Sequence, residues 1–128
     1  MKRRDFTLAL AALPLAACAT GRAPRDDDPL VFAYFTTGKA REAAGLKLAV
    51  SDDGFAFRTL AGGRSLLLPQ VGEKKLLRDP FLFRDGDIFH LLWTTAWEGV
   101  TIGHATSRDL LHWSDQQAIP VMGAVPGT

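Results

Sequence analysis

The chain has one cysteine, Cys18, so no disulfide framework can hold the fold. It also lacks an apolar run of the length a membrane span requires. Thr7–Ala17 is too short to cross a hydrocarbon core of about 30 Å. Charge of one sign is equally scarce: the net charge is +1, with no basic patch or acidic run of the kind that marks a nucleic-acid partner. The three histidines, His90, His104 and His112, are not in ligand spacing. Their placement favours strand packing or hydrogen bonding over a metal. Asp26-Asp27-Asp28 places three carboxylates together, and in a flexible segment they read as solvated charge rather than a metal site.

What remains is an ordinary soluble composition, 47% hydrophobic and 23% charged, with room for one domain. The first residues are not part of it. Lys2-Arg3-Arg4-Asp5-Phe6 is a positive leader with paired arginines, similar to a twin-arginine export signal. Leu15-Ala16-Ala17-Cys18 resembles a bacterial lipobox. Residues 1–17 therefore read as a lipoprotein signal peptide and Cys18 as the lipidated first residue of an exported, membrane-anchored protein in the bacterial cell envelope. Residues 18–29, rich in Pro, Gly, Arg and Asp, read as the tether.

Residues 30–128 have the signature of an all-β domain. From Arg78 to Trp113 the pattern predicts four short antiparallel strands: Pro80–Phe83, Ile88–Thr95, Thr101–Thr106, and one that begins at Leu110–Ser114 and continues through 116–122. The turns fall at Asp85-Gly86 and Ser107–Asp109. Four such strands make one propeller blade. The pattern also occurs earlier. Leu46, Ala49, Ser51, Asp53 and Phe57 match Ile102, Ala105, Ser107, Asp109 and Trp113 at a constant spacing of 56. Phe35-Thr36-Thr37 matches Trp93-Thr94-Thr95 at 58. A strand-rich period of that size indicates a blade repeat.

The earlier unit has three predicted strands, Leu30–Thr37, Leu46–Ser51 and Phe55–Leu60, and lacks an equivalent of Pro80–Phe83. The sequence is thus expected to hold about two blades, the N-terminal part of a longer propeller or a reading frame cut short. Strand direction sorts the carboxylates. Asp53, Asp85, Asp87 and Asp109 fall at turns on one face, where turn chemistry explains them. Asp79 opens an innermost strand on the opposite face, beside the axis, ahead of a proline that fixes φ. Its alternative role is structural, in a pair with Arg78 or a cap on backbone amides. Trp97 and Glu98 lie in a loop on the same face as Asp79, and Trp93 and Trp113 read as core.

Arg78-Asp79-Pro80, the strand ending Trp93-Thr94-Thr95, and Ile102 to Trp113 with its Ser-x-Asp-Leu-x-x-Trp pattern together resemble the first catalytic blade of glycoside hydrolase family 43. The resemblance covers roughly residues 30–122. It implies a five-bladed β-propeller of four-stranded antiparallel blades that inverts configuration at arabinose- and xylose-containing glycans. It implies that Asp79 is the general base, with Arg78 and Trp97 as substrate-binding candidates. It implies no cofactor, and leaves open a structural cation on the propeller axis. The family's second aspartate and general-acid glutamate would follow beyond Thr128. Glu98 reads as a solvated loop charge rather than that acid. Two other readings stand beside this one: a non-catalytic carbohydrate-binding propeller, and an invertase-like fructan hydrolase on the same fold. An upstream Asn-Asp-Pro-Asn segment would favour the last, and none lies between Cys18 and Arg78.

Overall fold

The computed structural model describes residues 27–37, 44–121 and 123. The leader, Cys18, most of the tether and Lys39, Arg41 and Glu42 lie outside them. The described chain is all-β, in two antiparallel sheets. The first comprises β1 (Leu30–Tyr34), β2 (Lys47–Ser51) and β3 (Arg58–Thr59), in the order β1-β2-β3. The second comprises β4 (Arg78–Asp85), β5 (Ile88–Thr94), β6 (Thr101–Ser107) and β7 (Gln117–Pro120), in the order β4-β5-β6-β7. Each sheet is a meander of sequential neighbours, the topology of propeller blades.

The β4–β5 hairpin forms where the turn dipeptide predicted it, shifted by one residue. Asp85 pairs with Ile88, so Gly86 and Asp87 are the two loop residues. Gly86 takes a positive φ of 56° at the first central position, the place glycine holds in a type II′ turn. On β6 the burial alternates, with Gly103, Ala105 and Ser107 inward. Gly103 lies opposite Trp93 in register. A Cβ on Gly103 would overlap the indole ring, so glycine there is what lets Trp93 lie flat on the sheet. Trp93 is 2% exposed, and with Leu46, Leu48, Leu67, Leu77, Leu91 and Ala105 it forms the core. Burying a side chain of this size contributes about 1.5–3 kcal/mol.

That core lies between the sheets. By register, Leu82, Leu91, Trp93 and Ala105 project from one face of the second sheet. Ala33 and Leu48 project from one face of the first. Trp113 packs against the same cluster, as expected of a core residue.

The repeat is present atom by atom at the β2 and β6 ends. Ser51 Oγ accepts the amides of Asp53 (3.3 Å) and Gly54 (2.8 Å) and donates to Asp53 Oδ1 (3.0 Å). Asp53 Oδ1 accepts the amides of Phe55 and Ala56, both at 2.8 Å. Ser107 and Asp109 make the same five bonds to the same relative positions, at 2.8–3.2 Å. Each Ser-x-Asp therefore satisfies four backbone donors where the chain leaves its strand.

Two expectations are corrected. Residues 110–114 are not a strand. The Ser107–Asp109 box turns the chain through 108–112, Trp113 makes a lone bridge to Ser107, and the fourth strand is Gln117–Pro120. The spacing of 58 for the preceding strands is also one short. Ser51 pairs with Leu30 and Ser107 with Phe89, so Tyr34, not Phe35, stands where Trp93 does. The loop between β1 and β2 is longer than its counterpart by three residues, and a slip of one exchanges the faces of a strand.

Candidate active site

The innermost strand of the second sheet begins irregularly. Arg78 pairs with Thr94 and Phe81 with Leu92, so the ladder shifts register between them. Asp79 sits in that bulge at φ 48°, a left-handed conformation that few non-glycine residues adopt. Asp tolerates it better than most, at a cost of order 1–2 kcal/mol. Pro80, which has no amide hydrogen, follows without costing the ladder a donor. The bulge leaves the Asp79 carboxylate exposed, and no hydrogen bond or ion pair with another described residue holds it.

Arg78 does not pair with Asp79. Its guanidinium lies 3.6 Å from the Trp97 ring centroid and 5.2 Å from that of Phe35. Guanidinium planes stack well on aromatic faces, and the indole is the best of them. The two substrate-binding candidates are thus in contact. With Phe35, Thr36, Leu76 and Leu77 they line a cleft of about 190 Å³ between the sheets. Asp79 adjoins this cleft in sequence but does not line it. Trp97 is 76% exposed, with the Arg78 guanidinium over one face of its indole. Glu98 is exposed in the same loop.

A residue with no conspicuous sequence signature fixes that loop. Glu73 Oε2 accepts the hydroxyls of Thr95 (2.9 Å) and Thr101 (2.7 Å), and Oε1 accepts the Val100 amide (2.9 Å). Glu73 thereby ties together both ends of the segment that carries Trp97. The Thr101 hydroxyl is the largest cause, followed by backbone amides, of a carboxyl pKa lowered to about 2. Glu73 is therefore an ionised structural acceptor at neutral pH. Two glycines make room for this Thr95–Glu73 arrangement. Gly72, at φ 87°, has the Thr95 side chain where a Cβ would be, and a Cβ on Gly99 would come within 3.0 Å of Glu73 Oε2. The signal in the sequence was Gly-Glu ahead of a Thr-rich strand end, which is too common to single out.

The remaining candidates lie elsewhere. Asp53 and Asp109 occupy the turn boxes at the other ends of β2 and β6. Both carboxyls lie below the usual range, Asp53 chiefly through backbone amides and Asp109 chiefly through the His112 ring at 2.6 Å. His90 Nδ1 and His104 Nε2 meet at 3.1 Å across β5 and β6. Among the described residues no three His, Cys, Asp or Glu side chains converge as a metal-binding group.

The family model that matches this chain, over residues 28–128, is described as a probable glycosyl hydrolase domain, related to glycoside hydrolase family 43. The chain belongs to this family. The match takes in both sheets, the Asp79 bulge and the cleft, and begins just ahead of β1. No curated protein and no solved structure matches the chain. A glycosyl hydrolase 43-related domain points to a carbohydrate substrate.

Proposed function

We propose that this domain is part of an inverting glycosidase acting on arabinose- or xylose-type bonds of plant-type polysaccharides, with Asp79 as the general base. The observation that carries the reading is the Asp79 carboxylate, unpaired among the described residues and held in a left-handed bulge at the start of an innermost strand. A bulge that costs stability and holds an exposed carboxylate next in sequence to a cleft-lining residue is the kind of strain found at working sites. The exposed carboxylate accepts a proton from water, and that water attacks the anomeric carbon. The glycosidic bond breaks on the opposite side, and its electron pair leaves with the departing oxygen. Trp97 supports the sugar ring, and Arg78, held against the Trp97 and Phe35 rings, donates to its hydroxyls.

The departing oxygen needs a proton from a second carboxyl group about 6.5–9.5 Å from the base. Glu73 does not serve, because three hydrogen bonds keep it ionised. We propose that the acid comes from outside the described residues, and that these residues alone turn over poorly with natural glycans. Substrates with fluoride as the leaving group need little acid assistance, so they isolate the base. Hydrolysis of arabinosyl and xylosyl fluorides, followed by NMR of the first-formed anomer, tests the proposal: inverted product supports it, and retained product would refute inversion. The ionised state of Glu73 also favours a second reading, a carbohydrate-binding unit without turnover. Sugar binding with no hydrolysis of any fluoride would establish that one. We further propose that the protein is exported and anchored in the cell envelope through lipid on Cys18.

A further inference from the structure

The cleft between the two sheets contains a cation whose charge no described residue matches. Arg78 lines it and is half-buried. Its contacts are the rings of Trp97, at 3.6 Å, and Phe35, at 5.2 Å. Among the described residues its guanidinium makes no hydrogen bond or ion pair. Phe35 has no acceptor, and the indole Nε1 only donates. The rings therefore satisfy the faces of the guanidinium and leave its five N–H donors without an acceptor atom. A half-buried cation in this state gains most from a ligand that is itself ionised.

The surroundings of the cleft select the sign of that ligand. No carboxylate lines it, and Asp79 and Glu98, its neighbours in sequence, are not part of its wall. The Glu73 carboxylate is committed to Thr95, Val100 and Thr101. Lys74 and Lys75 are exposed just ahead of the lining residue Leu76, so the segment that leads to Arg78 is positive. The volume, about 190 Å³, lies below the roughly 300–1,000 Å³ of pockets for drug-sized ligands, so it suits one sugar residue rather than several.

We propose that this cleft takes a uronic acid residue of the glycan, its carboxylate received by two parallel N–H groups of Arg78. A sugar hydroxyl also accepts from a guanidinium but leaves the charge unmatched. A carboxylate matches both the charge and the planar fork. The inference rests on the glycosidase reading for a sugar in this cleft, and adds that the polysaccharide is acidic.

Titration calorimetry of the full chain with two xylo-oligosaccharides of equal backbone length, one of them carrying a glucuronic acid branch, tests it. The acidic ligand should bind at least about tenfold tighter, the scale of a charge-assisted pair. Methyl esterification of the branch removes the charge and should erase the preference. Arg78→Gln should erase it too, while Arg78→Lys should recover only part, since an ammonium is a point charge without the fork. Equal binding of the acidic, neutral and esterified ligands would overturn the inference and leave the glycosidase reading standing. A preference that survives Arg78→Gln would also overturn it, because the carboxylate would then be received elsewhere. Binding of none of the three would overturn both.

Discussion

Gly54 and Leu110 hold the same place in two successive sheets, and both are left-handed, at φ 79° and 66°. Each is the residue whose amide closes onto the serine of its Ser-x-Asp box, at 2.8 and 2.9 Å. The box sets the conformation and the sequence adapts to it. Glycine takes it freely in the first unit. Leucine bears a cost of about 1–2 kcal/mol in the second, where its side chain packs against the core. Gly54→Ala should destabilise the fold by about 1 kcal/mol. Leu110→Gly should cost less than the roughly 2–5 kcal/mol usual for truncating a core leucine, because relief of φ offsets part of the loss. Denaturant melts of both variants check this.

The lowered carboxyls of Glu73, Asp53 and Asp109 set the acid limit of stability. A depressed folded-state pKa stabilises above the unfolded value and loses that contribution as pH falls through the folded one. For Glu73 the window runs from its ordinary 4.5 down to about 2. Melting temperature should therefore be flat from pH 7 to about 5 and fall below it. Glu73→Gln and Asp109→Asn should each lower the neutral-pH melting temperature and flatten the acid decline. A decline of unchanged steepness in both variants would remove these carboxyls from the account.

Glu73 also controls the Trp97 loop. Glu73→Gln keeps the shape but weakens charge-assisted acceptance from two hydroxyls and an amide. Sugar binding should weaken several-fold, with greater quenching of Trp97 fluorescence by acrylamide. Gly72→Ala should be worse, since it forces a Cβ into Thr95 at a left-handed position.

Trp97→Ala removes the platform on which a sugar would stack. The loss should be about 1 kcal/mol, or roughly fivefold in affinity for an oligosaccharide. It should appear in KM rather than kcat, as expected for uniform binding. Isothermal titration and initial rates separate the two.

Much of the fold was legible because β chemistry is periodic and local. The glycine at the β4–β5 turn, Trp93 as core and the paired Ser-x-Asp boxes were all readable from residue type and spacing, whereas Gly103 opposite Trp93 emerged only from the strand register. The fourth strand was misplaced because Leu110–Trp113 has strand composition while the Asp109 carboxylate draws its amides into a turn. The one-residue slip between Tyr34 and Phe35 was hidden because loop length does not fix register. At the site, Asp79 stood out as a carboxylate before a proline with no turn to explain it. Glu73 did not, because its role depends on Thr95, Val100 and Thr101, 22 to 28 residues away.

The most direct test compares Asp79→Asn with Asp109→Asn on arabinosyl or xylosyl fluoride, using the protein that hydrolyses it. Asn tolerates the left-handed region, so Asp79→Asn should fold with an unchanged melting temperature and lose at least a hundredfold in kcat. Asp109→Asn should be less stable yet keep near-normal turnover while folded. Normal turnover in Asp79→Asn would contradict the account, because the bulge at the head of β4 would then aim no base at the substrate.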